Sequence, residues 1–138
     1  MTLNSATNRR VLLVDDDPLV RKVYEEGLTR HGFEVQTAED GLNAILLLRS
    51  DPPDVLVLDL MMPKLSGSDV LKFIQSQPGL KQLLIIVLSN SFLHEGEKPI
   101  LEAGAQRVLI KLRSTPAVLA AEIEACLQGD PPATPPPV

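Results

Sequence analysis

Five short aliphatic runs punctuate the chain: Val11 to Val14, Phe33 to Thr37, Val55 to Leu58, Leu83 to Leu88 and Arg107 to Ile110. Runs apolar at nearly every position belong to strands buried on both faces, as in a parallel sheet covered by helices. The intervening stretches carry helical periodicity. Val20, Val23, Tyr24, Gly27 and Leu28 fall at i, i+3, i+4, i+7 and i+8, which is one helical stripe. Asp17 is placed to cap that helix, with Pro18 at its first position and Gly32 near its exit. A second helix is expected from near Asp40, burying Leu42, Ile45, Leu46 and Leu48 and stopped by Asp51-Pro52-Pro53. A third carries Val70, Leu71, Phe73 and Ile74 and ends at Pro78-Gly79. The last opens at Thr115-Pro116 and presents Leu119, Ile123, Cys126 and Leu127.

The fourth helical stretch breaks the rhythm. Gly96 and Pro99 both stand where a helix is due, and an interior proline costs ~3 kcal/mol. The expected helix therefore shrinks to about Lys98 to Ala103, with a loop before it. Five βα units in unbroken succession describe one doubly wound α/β domain over residues 10–128, with right-handed crossovers placing helices on both faces. Residues 1–9 read as a flexible N-terminal segment and 129–138, with five prolines, as a disordered Pro-rich tail.

Composition narrows the class. At 138 residues the chain can bury a real core, and with 44% hydrophobic but only 3% aromatic residues that core must be aliphatic. A net charge of −5 with scattered basic residues argues against direct nucleic-acid binding. The single cysteine, Cys126, excludes an internal disulfide and reads as core filling. The polar opening and the lack of any membrane-length apolar run fit a cytoplasmic protein with no membrane contact. His31 and His94 have no ligand-spaced partner.

The chemistry lies at the strand ends. Asp15, Asp16 and Asp17 follow the first run, and the third run ends on Asp59. Clustered carboxylates repel one another unless a cation neutralises them. In doubly wound sheets ligands sit beyond the carboxyl ends of the strands, where Ser89 and Lys111 also fall. Asp16 and Asp59, with a backbone carbonyl just after Asp59, would offer hard oxygen ligands to magnesium, and Asp15 could hold a metal-bound water. A metal, a lysine and a hydroxyl together can neutralise three phosphoryl oxygens, and a carboxylate nucleophile yields an acyl phosphate. Asp17 reads chiefly as the helix cap.

At this point the chain resembles the receiver domain of two-component response regulators. The matching residues are Val14-Asp15-Asp16-Asp17-Pro18, Asp59-Leu60-Met61-Met62-Pro63-Lys64-Leu65-Ser66-Gly67, Leu88-Ser89, and Ala103-Gly104-Ala105 leading to Lys111. An Asp-Asp pair is common, but the ordered set is specific. The resemblance spans roughly Arg10 to Leu127 and implies a flavodoxin-like (βα)5 three-layer sandwich with strand order 2-1-3-4-5. It implies that Asp59 accepts a phosphoryl group from a histidine kinase or histidine phosphotransfer protein. Asp16, Asp59 and the Met61 carbonyl would bind Mg²⁺, with Asp15 as the outer member. Ser89 and Lys111 would meet the phosphoryl group. Such a chain is no conventional enzyme, although it assists its own phosphorylation and dephosphorylation.

Three positions depart from the family pattern. Leu112 follows Lys111 where proline is usual, so the loop is expected to run trans, with a different aim for Lys111. Val108 replaces an aromatic that rotates inward on activation, and Asn90 replaces a small residue beside the acceptor, narrowing access to it. The leading expectation is a stand-alone receiver signalling by contact with a downstream protein, as a monomer or weak dimer. A receiver-like interaction module that no longer switches is the alternative. A flavin or nucleotide site would want Gly, Ser or Thr after the first strand rather than three acids. A metal-dependent phosphohydrolase lacks an evident place for a separate substrate.

Overall fold

The computed structural model describes residues 9–90 and 98–129. Five parallel strands form one sheet: β1 (Arg10–Val14), β2 (Glu34–Ala38), β3 (Val55–Asp59), β4 (Leu84–Ser89) and β5 (Arg107–Ile110), in the order β2-β1-β3-β4-β5. The helices are α1 (Pro18–Arg30), α2 (Gly41–Ser50), α3 (Gly67–Gln75), α4 (Lys98–Glu102) and α5 (Pro116–Leu127). Short 3₁₀ turns span Pro78–Leu80 and Lys111–Arg113. The fold is the expected doubly wound, flavodoxin-like sandwich. Most strand limits lie within a residue of those read from the aliphatic runs.

The sheet separates two apolar cores. One joins Leu12, Leu56, Leu58 and Val87 to Ala44, Leu48, Val70 and Leu71 on α2 and α3. The other joins Val11, Leu13, Val57, Ile86 and Leu88 to Tyr24, Leu28, Leu119 and Ile123 on α1 and α5. Strand β3 is buried along its whole length, whereas β2 alternates toward solvent. An edge strand faces water on one side and need not be apolar throughout.

Local chemistry sets the helix starts. The Asp17 carboxylate accepts from the Leu19 and Val20 N–H groups, and Asp40 accepts from Asn43 N–H. Ser66 and Asp69 form a reciprocal capping box at α3. The described part of α4, Lys98–Glu102, includes Pro99 and ends one residue before the expected limit. The loop expected before it falls mostly on residues outside those described, as do nearly all of the N-terminal segment and the Pro-rich tail. Among the described residues no helix is long and apolar enough to cross a membrane.

Helix α2 turns a different face inward than the leucine pattern suggested. Leu48 is buried as expected, but Leu42 and Leu46 are exposed, at 61% and 53%, and Gly41 and Ala44 are buried in their place. The reason is close approach: a Cβ on Gly41 would stand 2.6 Å from the Leu65 carbonyl oxygen. Small residues take the contact and push the leucines outward. Val23 on α1 is likewise half exposed, at 48%.

Candidate functional site

The carboxyl ends of β1 and β3 bring the acids together because the two strands are hydrogen-bonded neighbours, Val14 standing opposite Leu58. One carboxylate oxygen each from Asp15, Asp16 and Asp59 lies within 4.8 Å of the other two. Asp15 and Asp59 are buried, at 0% and 1% exposure, and Asp16 is open to solvent. Asp15 accepts from the Asp17 N–H at 2.9 Å, and the Asp59 Oδ1 accepts from the Met61 N–H at 3.1 Å. The Arg21 guanidinium donates to the Asp15 carbonyl at 2.7 Å, tying α1 to the end of β1.

Lys111 enters from the end of β5. Its Nζ stands 2.7 Å from Asp15 Oδ2 and 3.3 Å from Asp59 Oδ2. The lysine is aimed into the acids despite Leu112, which corrects the different aim expected for it. No cis peptide occurs among the described residues, and the chain leaves Lys111 in a 3₁₀ turn. Asp15 Oδ2 is buried, with Lys111 as its close cationic partner. One ammonium opposing two buried carboxylates and a third close by leaves net negative charge.

Burial dominates the titration of the site. Burial pushes the Asp59 carboxyl up, and the Asp15 charge adds to the rise. The Lys111 charge and the Met61 N–H act against it, and the result is a pKa of about 6. Burial alone would lower the Lys111 ammonium, but Asp15 and then Asp59 hold it above its ordinary value. The donor set fits a hard divalent cation: three carboxylates gathered at a sheet rim, with one ammonium set against them.

Ser89 is buried at the end of β4, next to β3 in the sheet, and Asn90 is exposed. A cleft of about 690 Å³ opens over the acids, lined by Asp16, Asp59, Met61, Asn90 and Lys111 on its polar side and by Leu19, Val23 and Pro116 on the other. Val108 is half-buried against the core on the α4 side. Of the residues singled out from the sequence, Asp15, Asp16, Asp59 and Lys111 converge. Met61 supplies its N–H to Asp59 while its side chain is exposed, and Asp17 is occupied in capping.

Gly67 governs how α3 approaches β3. Its N–H donates to the Leu60 carbonyl at 3.1 Å. A Cβ there would lie 2.7 Å from the Asp59 carbonyl oxygen and 2.8 Å from the Leu60 Cα. Both are backbone atoms that cannot rotate away. Gly67→Ala is therefore expected to lower stability by about 1–3 kcal/mol in urea denaturation, even though alanine is the better helix former.

Two contributors were missed from the sequence. The sequence pattern does not single out Arg21 and places Tyr24 only on an apolar stripe. Its hydroxyl donates to the Ser114 carbonyl at 2.6 Å, in the loop that follows Lys111. One signal was available: this is the only tyrosine in the chain, and a tyrosine on a buried stripe must find a partner for its O–H.

Comparison with known proteins bears on this arrangement. The sequence profile described as the response regulator receiver domain matches residues 11–124. Response regulator MprA of Mycobacterium avium is 37% identical over 102 residues, covering 74% of this chain and 44% of that protein. The chain thus spans less than half the length of this curated relative. A solved two-component response regulator of the LuxR family from Aurantimonas is 34% identical with a TM-score of 0.77, covering 93% of this chain and 91% of that one. Chemotaxis response regulator CheY4 of Vibrio cholerae is 28% identical with a TM-score of 0.78, over 85% of this chain and 97% of its own.

Proposed function

We infer the function of this chain from the fact that it belongs to the response regulator receiver domain family, and propose that Asp59 accepts a phosphoryl group. The observation that carries the reading is the position of Lys111 Nζ, 2.7 Å from Asp15 and 3.3 Å from Asp59, inside a trio of carboxylates. In this reading an Asp59 carboxylate oxygen attacks the phosphorus of a phosphohistidine. A P–O bond forms, the P–N bond breaks, and its electron pair returns to the imidazole nitrogen. The Lys111 ammonium then bonds a phosphoryl oxygen, and Ser89, at the end of the neighbouring strand, supplies its hydroxyl. Asp15, Asp16, Asp59 and the Met61 carbonyl would hold Mg²⁺, which when bound supplies charge stabilisation for the transferring group.

The downstream consequence is contact with a protein partner, and the stand-alone role belongs to the same proposal. The substitution of Val108 for an aromatic favours an output that does not depend on a rotating ring. The same feature supports a second reading, an interaction module without a phosphoryl switch. Incubation with acetyl phosphate and Mg²⁺, followed by intact mass measurement, separates the two. Gain of one phosphoryl group is the expected result, and an unmodified mass would leave the second reading standing.

The mouth of the cleft gives a further expectation. Leu19 is 71% exposed on the apolar side of the opening. A protein phosphodonor reaching Asp59 would cover it, whereas a small donor would not. Leu19→Glu is expected to slow transfer from a phosphorylated histidine protein about tenfold, which is about 1.4 kcal/mol, and to leave the acetyl phosphate rate unchanged. Equal slowing with both donors would place the effect in the site rather than at the docking surface.

A further inference from the structure

Lys111 follows the last ladder position of an edge strand. The final pairing of β5 is Ile110 with Ser89, and β5 has only β4 beside it. The backbone carrying the ammonium therefore leaves the sheet one residue too early to be held by it. Within the turn, the Ser114 N–H donates to the Lys111 carbonyl at 3.1 Å. A restraint from outside the turn comes across the domain from α1: the Tyr24 hydroxyl donates to the Ser114 carbonyl at 2.6 Å and lies 3.4 Å from the Lys111 carbonyl.

We propose that Tyr24 is a positioning residue for Lys111, fixing through the two carbonyls of its turn the segment from which the ammonium reaches Asp15 and Asp59. The inference rests on the reading of Asp59 as phosphoacceptor. Tyr24 is well placed for this because its ring is 5% exposed and belongs to the core shared by α1, α5 and the sheet. One turn further along α1, a Cβ on Gly27 would stand 2.2 Å from the Pro116 Cβ. Helix α1 thus lies directly against the chain on both sides of Thr115. Burial raises the Tyr24 phenol above its ordinary value, so it remains a donor at neutral pH. The role also fits the local sequence, since Leu112 does not restrict the backbone after Lys111 as proline would.

The alternative is a buried tyrosine that merely satisfies its own hydroxyl. Tyr24→Phe keeps the ring and removes only the O–H. It is expected to slow phosphorylation by acetyl phosphate at saturating Mg²⁺ about tenfold, because small displacements of a charge-stabilising group cost rate steeply. Ile85→Val, a core change at the opposite end of the sheet with a comparable stability loss, is expected to keep the wild-type rate. A second readout does not require phosphorylation: the side-chain NMR resonances of Lys111 should move in Tyr24→Phe toward those of the exposed Lys22. A Lys111 signal unmoved by Tyr24→Phe, or a Tyr24→Phe rate equal to wild type, overturns the inference while leaving the phosphoacceptor reading intact. Equal slowing by Ile85→Val overturns it as well. A wild-type chain that takes no phosphoryl group overturns the phosphoacceptor reading and the catalytic part of the inference together.

Discussion

Asp59→Asn is expected to abolish phosphorylation by acetyl phosphate or by a phosphorylated histidine protein, with loss of at least about 10³-fold in rate. Asparagine has nearly the same shape, so the fold should survive. Its amide, however, carries no charge to attack phosphorus, and its nitrogen is not a nucleophile. The surrounding acids are poorly placed to substitute. Asp17 is committed to capping α1. Asp15 holds the Asp17 N–H on one oxygen and faces Lys111 with the other. Asp16 alone is exposed and uncommitted to a cap. Intact mass with peptide mapping is the measurement. A phosphoryl group found on Asp16 in the variant would mean that the cluster, rather than one residue, is the acceptor.

How far the sequence carried the reading varied along the chain. Strand positions and the convergence of Asp15, Asp16, Asp59 and Lys111 were legible because both depend on a backbone rule. Buried parallel strands are continuous apolar runs, and their carboxyl ends share one rim. The buried face of α2 was not legible. With Leu42, Ile45, Leu46, Leu47 and Leu48 apolar on nearly every side, periodicity could not choose a face. Steric closeness did, in favour of Gly41 and Ala44. The aim of Lys111 was also beyond reach. Leu112 in place of proline suggested a different aim, yet the Tyr24 hydroxyl, 87 residues away in sequence, stands 3.4 Å from the Lys111 carbonyl, and a single helical stripe gives no hint of that contact. Pairings of this kind depend on which helices touch, and here α1 touches α5.

The burial of Asp59 makes a second large effect expected, on stability rather than chemistry. The Asp59 carboxyl rises from 3.8 to about 6, first because it is buried. For an acid whose folded value is raised, the folded state binds more protons than the unfolded chain between those two values. Stability therefore falls as pH rises through that window. At about 1.36 kcal/mol per unit the loss amounts to about 3 kcal/mol by neutral pH. Other carboxylates add slopes of their own, so the clean measurement is the difference between wild type and Asp59→Asn in urea denaturation without divalent cations. That difference should be smallest near pH 4 and should move in favour of the variant by about 3 kcal/mol toward pH 7. Adding Mg²⁺ at pH 7 should return much of the loss to the wild type, because a ligand that binds only the folded state stabilises it by mass action. The variant, lacking one ligand carboxylate, should respond less. A difference that is flat with pH and indifferent to Mg²⁺ would mean that Lys111 alone balances the buried acids, and the case for a cation at this rim would fall.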